Sequence, residues 1–484
     1  MSAEPSPEGH WSKNFGALSI HRRKNWAVTV KGFNRFVWDF ECSKNKSPPE
    51  NPYGIFTSYG SMLIANSEAE LKAHDVSTGW DWTRIPGATT MPLTLKETRL
   101  EERRNFSPLS SAGGVTIKGV EIHSNGVFGM DFVQPKYEFL YNHSHQNSTL
   151  YFKKSVFFYQ NLLVCLGSNI SLIRSRKIPQ TTLFQDKLVR GSTNFHIKVD
   201  GLVKDSSAPF PSMTPSSQSG AEPHTILLDT KGNSYFIPSS SASSLKIHVQ
   251  NQTSKTPSNK VSHGYYGTAW LEHSPGHEDY EYAVWVNTPT YNLTANESWI
   301  RQPHQHNKVT KIYEVLKKDC EAHVVKFCAN LELRAVRHGP LFGYVIYEPN
   351  ITLRDGPVER VDKKCLVMVD VTPEDMFLSI SYPDLDFNSS EVFNTARDVD
   401  VWEQLESTEN EVRVTLTADV DKNISKTIVH GSPTEYAPNV RVVSSHSSSP
   451  KGNEIVFSNL KNGISVEVTL KRFEGDFKCG NRFI

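Results

Sequence analysis

Apolar and polar side chains alternate with a period of two along most of this 484-residue chain, which is the spacing of half-buried strands. The pattern shows in Trp26–Phe33, Val115–Ile122, Phe195–Asp200, Val412–Thr417 and Ile464–Leu470. Turn chemistry separates such runs at Asn125-Gly126, Lys231-Gly232-Asn233, Lys451-Gly452-Asn453 and Asn462-Gly463. Helical periodicity is scarce. The best case is Lys308–Lys318, where Val309, Ile312, Val315 and Leu316 would share one helix face. The expected fold class is therefore all-β, built from stacked antiparallel sheets. A chain of this length exceeds one compact core, so two or three domains are expected. Ser-, Pro- and Thr-rich stretches at Asp205–Pro223, Pro238–Ser244 and Gln252–Ser262 read as excursions from one domain. The helical stretch near Lys308 reads as a boundary, and strand-like runs resume after it as a second, smaller sandwich.

Charge narrows the partners. Lys plus Arg and Asp plus Glu both number 52, so no global basic field exists for nucleic acid, and a polyanion would need local clusters. No apolar run has the length of a membrane span. The amino terminus lacks a basic region followed by an apolar one, so no signal peptide is visible. Eleven N-x-S/T sequons nevertheless occur, at Asn45, Asn105, Asn142, Asn147, Asn169, Asn251, Asn292, Asn296, Asn350, Asn388 and Asn423. Together they lean toward a secretory glycoprotein, and a start at an internal Met reconciles them with the missing leader. Six cysteines form no C-x-x-C pair, so no zinc site is expected. Cys165 reads as a small buried hydrophobe, and Cys320 with Cys328 could bridge in an oxidising compartment. His143-x-His145 and His304-x-His306 have metal-ligand spacing but no acidic or thiol partner nearby, so both read as surface histidines. No metal and no cofactor is expected.

Four segments carry a resemblance. They are Gly79–Met91 (GWDWTRIPGATTM), Lys153–Ile170 (KKSVFFYQNLLVCLGSNI), Thr181–Gln185 (TTLFQ) and Thr268–Trp285 (TAWLEHSPGHEDYEYAVW), with a shorter match at Ser124–Asp131. In this order the sequence resembles the central and carboxyl-terminal β domains of polysaccharide lyase family 8, in its chondroitin ABC-type branch. The resemblance implies a large antiparallel super-β-sandwich over residues 1–308 and a smaller carboxyl-terminal β-sandwich over 309–484. Its implied chemistry is β-elimination at the uronic acid of chondroitin or dermatan sulfate. A base removes the C5 proton, an acid protonates the leaving glycosidic oxygen, and fixed donors neutralise the developing enediolate.

In that family most catalytic groups come from a helical toroid preceding the sheets, and no segment here matches its catalytic helices. One carry-over is possible. Glu50-Asn51-Pro52-Tyr53-Gly54 resembles the E-N-x-x-G stretch holding a catalytic Glu, so Glu50 is the expected catalytic residue. The competing reading is a solvated loop carboxylate among Pro48, Pro49 and Pro52.

Substrate-binding candidates follow from charge and aromaticity. Arg22 and Arg23, in His21-Arg22-Arg23-Lys24, suit sulfate or carboxylate through their forked donors, or else guard an exposed sheet edge. Trp80 and Trp82, spaced by two, would share one strand face and stack on sugar, or else fill the core. Arg84 would anchor a sulfate on that face or pair with a carboxylate, and Pro86-Gly87 reads as a turn. Lys153-Lys154 reads as a strand entrance, and Asn169 as a turn residue in a buried run. The expected partner is a sulfated glycosaminoglycan, bound by a monomer without nucleic acid or membrane. The alternative function is a non-catalytic carbohydrate-binding module, or a fragment inactive by itself.

Overall fold

The computed structural model describes residues 6–34, 36–42, 51–66, 75–99, 109–134, 149–189, 197–199, 202–204, 224–287, 301–304, 308–330, 335–383, 410–431, 438–444 and 451–473. It is an all-β molecule of antiparallel sheets. A four-stranded sheet runs in chain order through Gly9–Lys13, Leu18–Arg23, Trp26–Lys31 and Ser61–Ala65. A second joins Leu245–Lys255, Val261–Glu272, Gln180–Lys187 and Thr89–Thr90. A nine-stranded sheet contains Ser111–Ile117, Asn125–Val133, Thr149–Tyr159, Leu162–Ile173 and Tyr280–Trp285. A ten-stranded sheet takes up most of the chain from Tyr313 onward.

The nine-stranded sheet explains the unusually apolar run KKSVFFYQNLLVCLG. Val156, Phe158, Leu163 and Cys165 enter one core with Val28, Val30 and Leu183 of the two small sheets. Phe157, Tyr159, Leu162, Val164 and Leu166 point the other way, into a core shared with Val325, Leu341, Val345 and Leu366 of the ten-stranded sheet. A sheet covered on both faces loses its polar alternation, because both side-chain rows avoid water. The ten-stranded sheet closes a further core around Phe342, Tyr344, Val367, Val414, Phe457 and Val468.

Polar clips hold the layers in register. Asn14 donates through Nδ2 to Gly114 O and to Ser381 Oγ, both at 3.0 Å, and also to Gly463 O, so one side chain ties the nine-stranded sheet to the ten-stranded one. At the Lys118–Val120 turn, the N–H groups of Lys118 and Gly119 donate to Glu467 at 2.8 and 3.0 Å, and that of Val120 to Asp370 at 3.1 Å. Gly119 has a φ of 51°, which favours glycine.

Several local expectations need correction. Lys308–Lys318 is not a helix but the strands Lys308–Lys311 and Tyr313–Lys318. The second pairs with Ala322–Asn330 and Ile312 is buried, so pairing with a β-branched segment overrides the helical spacing. Asn125-Gly126 and Lys451-Gly452-Asn453 lie inside strands. Their glycines serve close approach, since a Cβ would meet the His10 ring at Gly126 and the Val443 carbonyl at Gly452. Lys231-Gly232 and Asn462-Gly463 are turns as expected, with φ of 83° at Gly232 and 58° and 62° at the second pair. Val115–Ile122 leaves its strand at Ile117. Within Gln252–Ser262 the strands continue to Lys255 and resume at Val261, leaving a tight hairpin. Pro238–Ser244 holds a four-residue helix, Ser239–Ala242. Asp205–Pro223 lies outside the described residues, as do His143, His145 and His306.

Candidate functional site

Glu50 lies outside the described residues, which resume at Asn51. The loop that follows it is fixed by side-chain chemistry. Asn51 sits at φ 48° and donates through Nδ2 to Glu41 O at 3.1 Å. At Gly54 a Cβ would meet the Asn51 amide at 2.5 Å, so a larger residue there would displace that amide. Tyr53 is buried, stacks on Trp82 with ring centroids 5.9 Å apart, and donates its hydroxyl to Asn259 Oδ1 at 2.7 Å. Burial raises the phenol's pKa, with Arg99 opposing, so Tyr53 stays protonated at neutral pH.

The strand argument for the two tryptophans fails, because residues 79–84 form a loop. Trp80 is 1% exposed and packs edge-on against Tyr266. Trp82 is buried, with its indole N–H donating to Lys255 O at 2.8 Å. Neither offers an open indole face. They instead brace the loop that faces the Val261 hairpin.

Arg84 is engaged from two sides. Its Nη1 donates to Asp81 Oδ2 at 2.9 Å, and its guanidinium carbon lies 4.1 Å from the Trp270 ring centroid. Gln185 holds the same loop, accepting from Asp81 N and donating to Asp81 O and Arg84 O. A cleft of about 350 Å³ lies beside it. One wall is Gly79, Asp81, Thr83 and Arg84, and the other is the strand run from Gln250 to Ser254.

Arg22 and Arg23 take different places. Arg23 is 5% exposed and donates to Arg22 O, Ser124 O and Asn125 Oδ1. Arg22 is half-buried on the opposite strand face. Their strand lies between two others, so the edge-guard reading is overturned as well. The structure thus gathers Trp82 and Arg84 around one loop and sets Arg22 and Arg23 in another sheet.

Sequence reasoning missed the buried polar groups. Lys153 and Lys154 are not a strand entrance: they lie midway along Thr149–Tyr159. Lys154 is sealed against Gly87 O, and desolvation brings its pKa down to about 8, with Cys165 opposing. Lys153 bonds Asp131 Oδ2 at 3.1 Å. Asp186 and Asp229 are both buried beside Lys231, whose ammonium lies 2.6 Å from Asp186 and 3.6 Å from Asp229. Burial first, with Asp186 adding, raises the Asp229 pKa despite Lys231. The adjacent Lys and Asp in strand runs were visible, but only burial distinguishes them from surface charges.

Two His–Tyr pairs have acid–base residue types. His323 meets Tyr347 edge-on at 5.0 Å, and its nitrogens contact Ser155 Oγ at 2.7 Å and Ser168 Oγ at 2.8 Å. His273 stacks on Tyr280 at 5.6 Å and contacts Thr181 Oγ1 at 2.7 Å. All four rings are buried, so neither pair is open to a polymer. Among the described residues no His/Cys/Asp/Glu group is arranged to hold a metal ion. Cys165 is buried as expected, and Cys320 is an exposed free thiol, so no Cys320–Cys328 bridge forms.

Comparison with known proteins defines the class first. Residues 14–297 match the family model for the super-sandwich domain of polysaccharide lyase family 8. A chondroitin sulfate ABC endolyase of Proteus vulgaris is 28% identical over 390 residues, covering 78% of this chain and 34% of that enzyme. A chondroitin sulfate ABC exolyase of Bacteroides thetaiotaomicron is 27% identical over 402 residues, covering 79% and 34%. Among solved structures, a Paenibacillus xanthan lyase matches with a TM-score of 0.64 at 18% identity, over 98% of this chain and 38% of its own. Streptomyces coelicolor A3 chondroitin AC lyase, in complex with chondroitin sulphate, matches with 0.62 at 16% identity, over 98% and 51%. These structural likenesses show a shared fold.

The chain belongs to polysaccharide lyase family 8. It spans about a third of the length of the curated relatives it matches.

Proposed function

We propose that this chain is the β-sheet region of a glycosaminoglycan lyase that cleaves chondroitin or dermatan sulfate by β-elimination. The central super-sandwich would be residues 1–308 and the carboxyl-terminal sandwich 309–484. The acid and base would come from a helical domain of the family kind, and Glu50 would complete the site by orienting those groups. The observation that carries this reading is the Asn51–Gly54 loop, which follows Glu50 in the sequence and is locked by the Tyr53–Trp82 stack. A carboxylate acting on a transition state must be held rigidly, because electrostatic help is lost when the group reorganises. The names of the curated relatives support the substrate class.

Arg84 acts in this reading as a brace for the loop, since Asp81 and Trp270 already occupy its guanidinium. Arg23 and both tryptophans are structural for the same reason: burial and internal partners occupy them. The protein is proposed to be secreted, glycosylated and monomeric. No helix among the described residues is long and apolar enough to cross a membrane.

The test is a chimera in which this chain replaces the matching part of the Proteus vulgaris endolyase. The chimera should release unsaturated uronate from chondroitin sulfate. Glu50→Gln should lower kcat by about 100-fold or more while leaving thermal stability unchanged. Unchanged turnover would remove Glu50 from the site.

A further inference from the structure

Strand pairing fixes which side chains face the cleft of about 350 Å³ between the 79–84 loop and the run from Gln250 to Ser254. Residues paired across an antiparallel ladder share one sheet face. Ser254 pairs with Ser262, whose Oγ accepts from Gly79 N at 3.0 Å. Gln252 pairs with Gly264, where an added Cβ would run into Thr78 O. Gln252 and Ser254 therefore face the loop, and the alternate residues Asn251 and Thr253 face away from it. Three polar atoms of cleft-lining residues are buried without a hydrogen-bond partner among the described residues: Arg84 Nε, Gln252 Oε1 and Ser254 Oγ. Ser254 is 4% exposed. The remainder of the two longer side chains is engaged, Arg84 Nη1 by Asp81, its face by Trp270, and Gln252 Nε2 by Thr268 Oγ1 at 3.3 Å. A buried donor or acceptor left unpaired costs stability, so three around one cleft mark a place where partners come from outside the chain.

We infer that this cleft binds a neutral N-acetylhexosamine unit of a polysaccharide. Charge selects against an acidic sugar, because Asp81 neutralises Arg84 at 2.9 Å and its carboxylate lines the same cleft. The unpaired atoms need both kinds of partner. An acetamide supplies them in one planar group, its carbonyl accepting from Arg84 Nε and its N–H donating to Gln252 Oε1. A ring hydroxyl serves Ser254 Oγ, which can donate or accept. Leu93, buried, and Leu95, half-buried, line the cleft and give the C–H face of a pyranose an apolar surface. The volume lies at the lower end of small-ligand sites, about 300–1,000 Å³, which suits one sugar rather than a long segment. That the polymer is a glycosaminoglycan rests on the lyase function proposed above.

The experiment titrates the whole chain with free N-acetylgalactosamine by saturation-transfer NMR, with glucuronate as the acidic comparison. N-acetylgalactosamine should bind saturably with a Kd on the order of 1–10 mM, and glucuronate about tenfold more weakly. S254A and Q252L, as folded proteins, should each weaken binding about fivefold, the loss of one hydrogen bond. No saturation by about 100 mM, equal binding of glucuronate, or unchanged affinity in both variants would overturn the inference. No turnover is involved, so a chimera without lyase activity would leave this site standing, and absent binding would leave the lyase function standing.

Discussion

The buried carboxylate of Glu467 accepts a 2.7 Å hydrogen bond from Nε2 of His430. The same carboxylate receives the N–H groups of Lys118 and Gly119, so a strand of the ten-stranded sheet grips a turn of the nine-stranded one. Burial alone would raise the Glu467 pKa, but His430 and the two N–H donors outweigh it, and the net shift is downward.

Glu467→Gln should therefore loosen the contact between the two sheets. Charge-assisted bonds to three donors are replaced by weaker neutral ones, with an expected loss of about 2 kcal/mol. A carboxyl with a lowered folded pKa contributes stability above its unfolded value, near 4.5, and loses it as pH falls through the folded value. Urea unfolding at pH 7 should show the lower midpoint. An unchanged midpoint would mean the clip carries no weight.

Buried imidazoles make a second prediction. Desolvation is the largest cause in each case: it lowers His10 and His323 to about 3, His273 to about 4, and His21 well below its usual 6.5. Arg23 adds to the effect at His10 and His21, while a hydrogen bond to Gln160 opposes it at His21. At His323, Lys318 adds and Asp319 opposes. These rings stay neutral in the fold and protonate once it opens, so stability is full above 6.5 and falls as pH drops toward 4. Each site adds a slope of up to about 1.4 kcal/mol per pH unit. Unfolding midpoints at pH 7.5, 6 and 5 should fall steeply, and His323→Gln should flatten the slope. Midpoints independent of pH across this range would contradict the assignment.

The nine- and ten-stranded sheets also meet through a glycine. At Gly343 an added Cβ would lie 2.6 Å from Phe157 and 2.9 Å from Val127, across the layer boundary. Gly343→Ala should cost about 1–3 kcal/mol by overpacking. Adding Phe157→Leu should recover part of it, because the two changes share one volume. Strict additivity in a double-mutant cycle would show that the layers do not touch there.

How much of this was legible depended on the scale. The period of two revealed sheets, and the apolar run around Cys165 marked a buried segment, while its covering on both faces emerged only from the packing. Register and layering were not legible: Gly126 and Gly452 look like turn glycines until the groups they approach are known. Lys308–Lys318 satisfied a helical spacing that strand pairing overrode. For the candidate site, sequence located Trp80, Trp82 and Arg84 in one motif, yet only the packing shows the tryptophans buried and the arginine occupied. Charge and aromaticity report what a side chain can do, while burial decides whether a ligand can reach it.

The most direct test of the account uses the purified 484-residue chain with chondroitin sulfate, followed by ultraviolet absorbance of the unsaturated uronate. With both described His–Tyr pairs sealed inside, absorbance should stay flat at enzyme levels where the chimera gives a steady rise. A steady rise from this chain by itself would contradict the account and place the acid and base within these sheets.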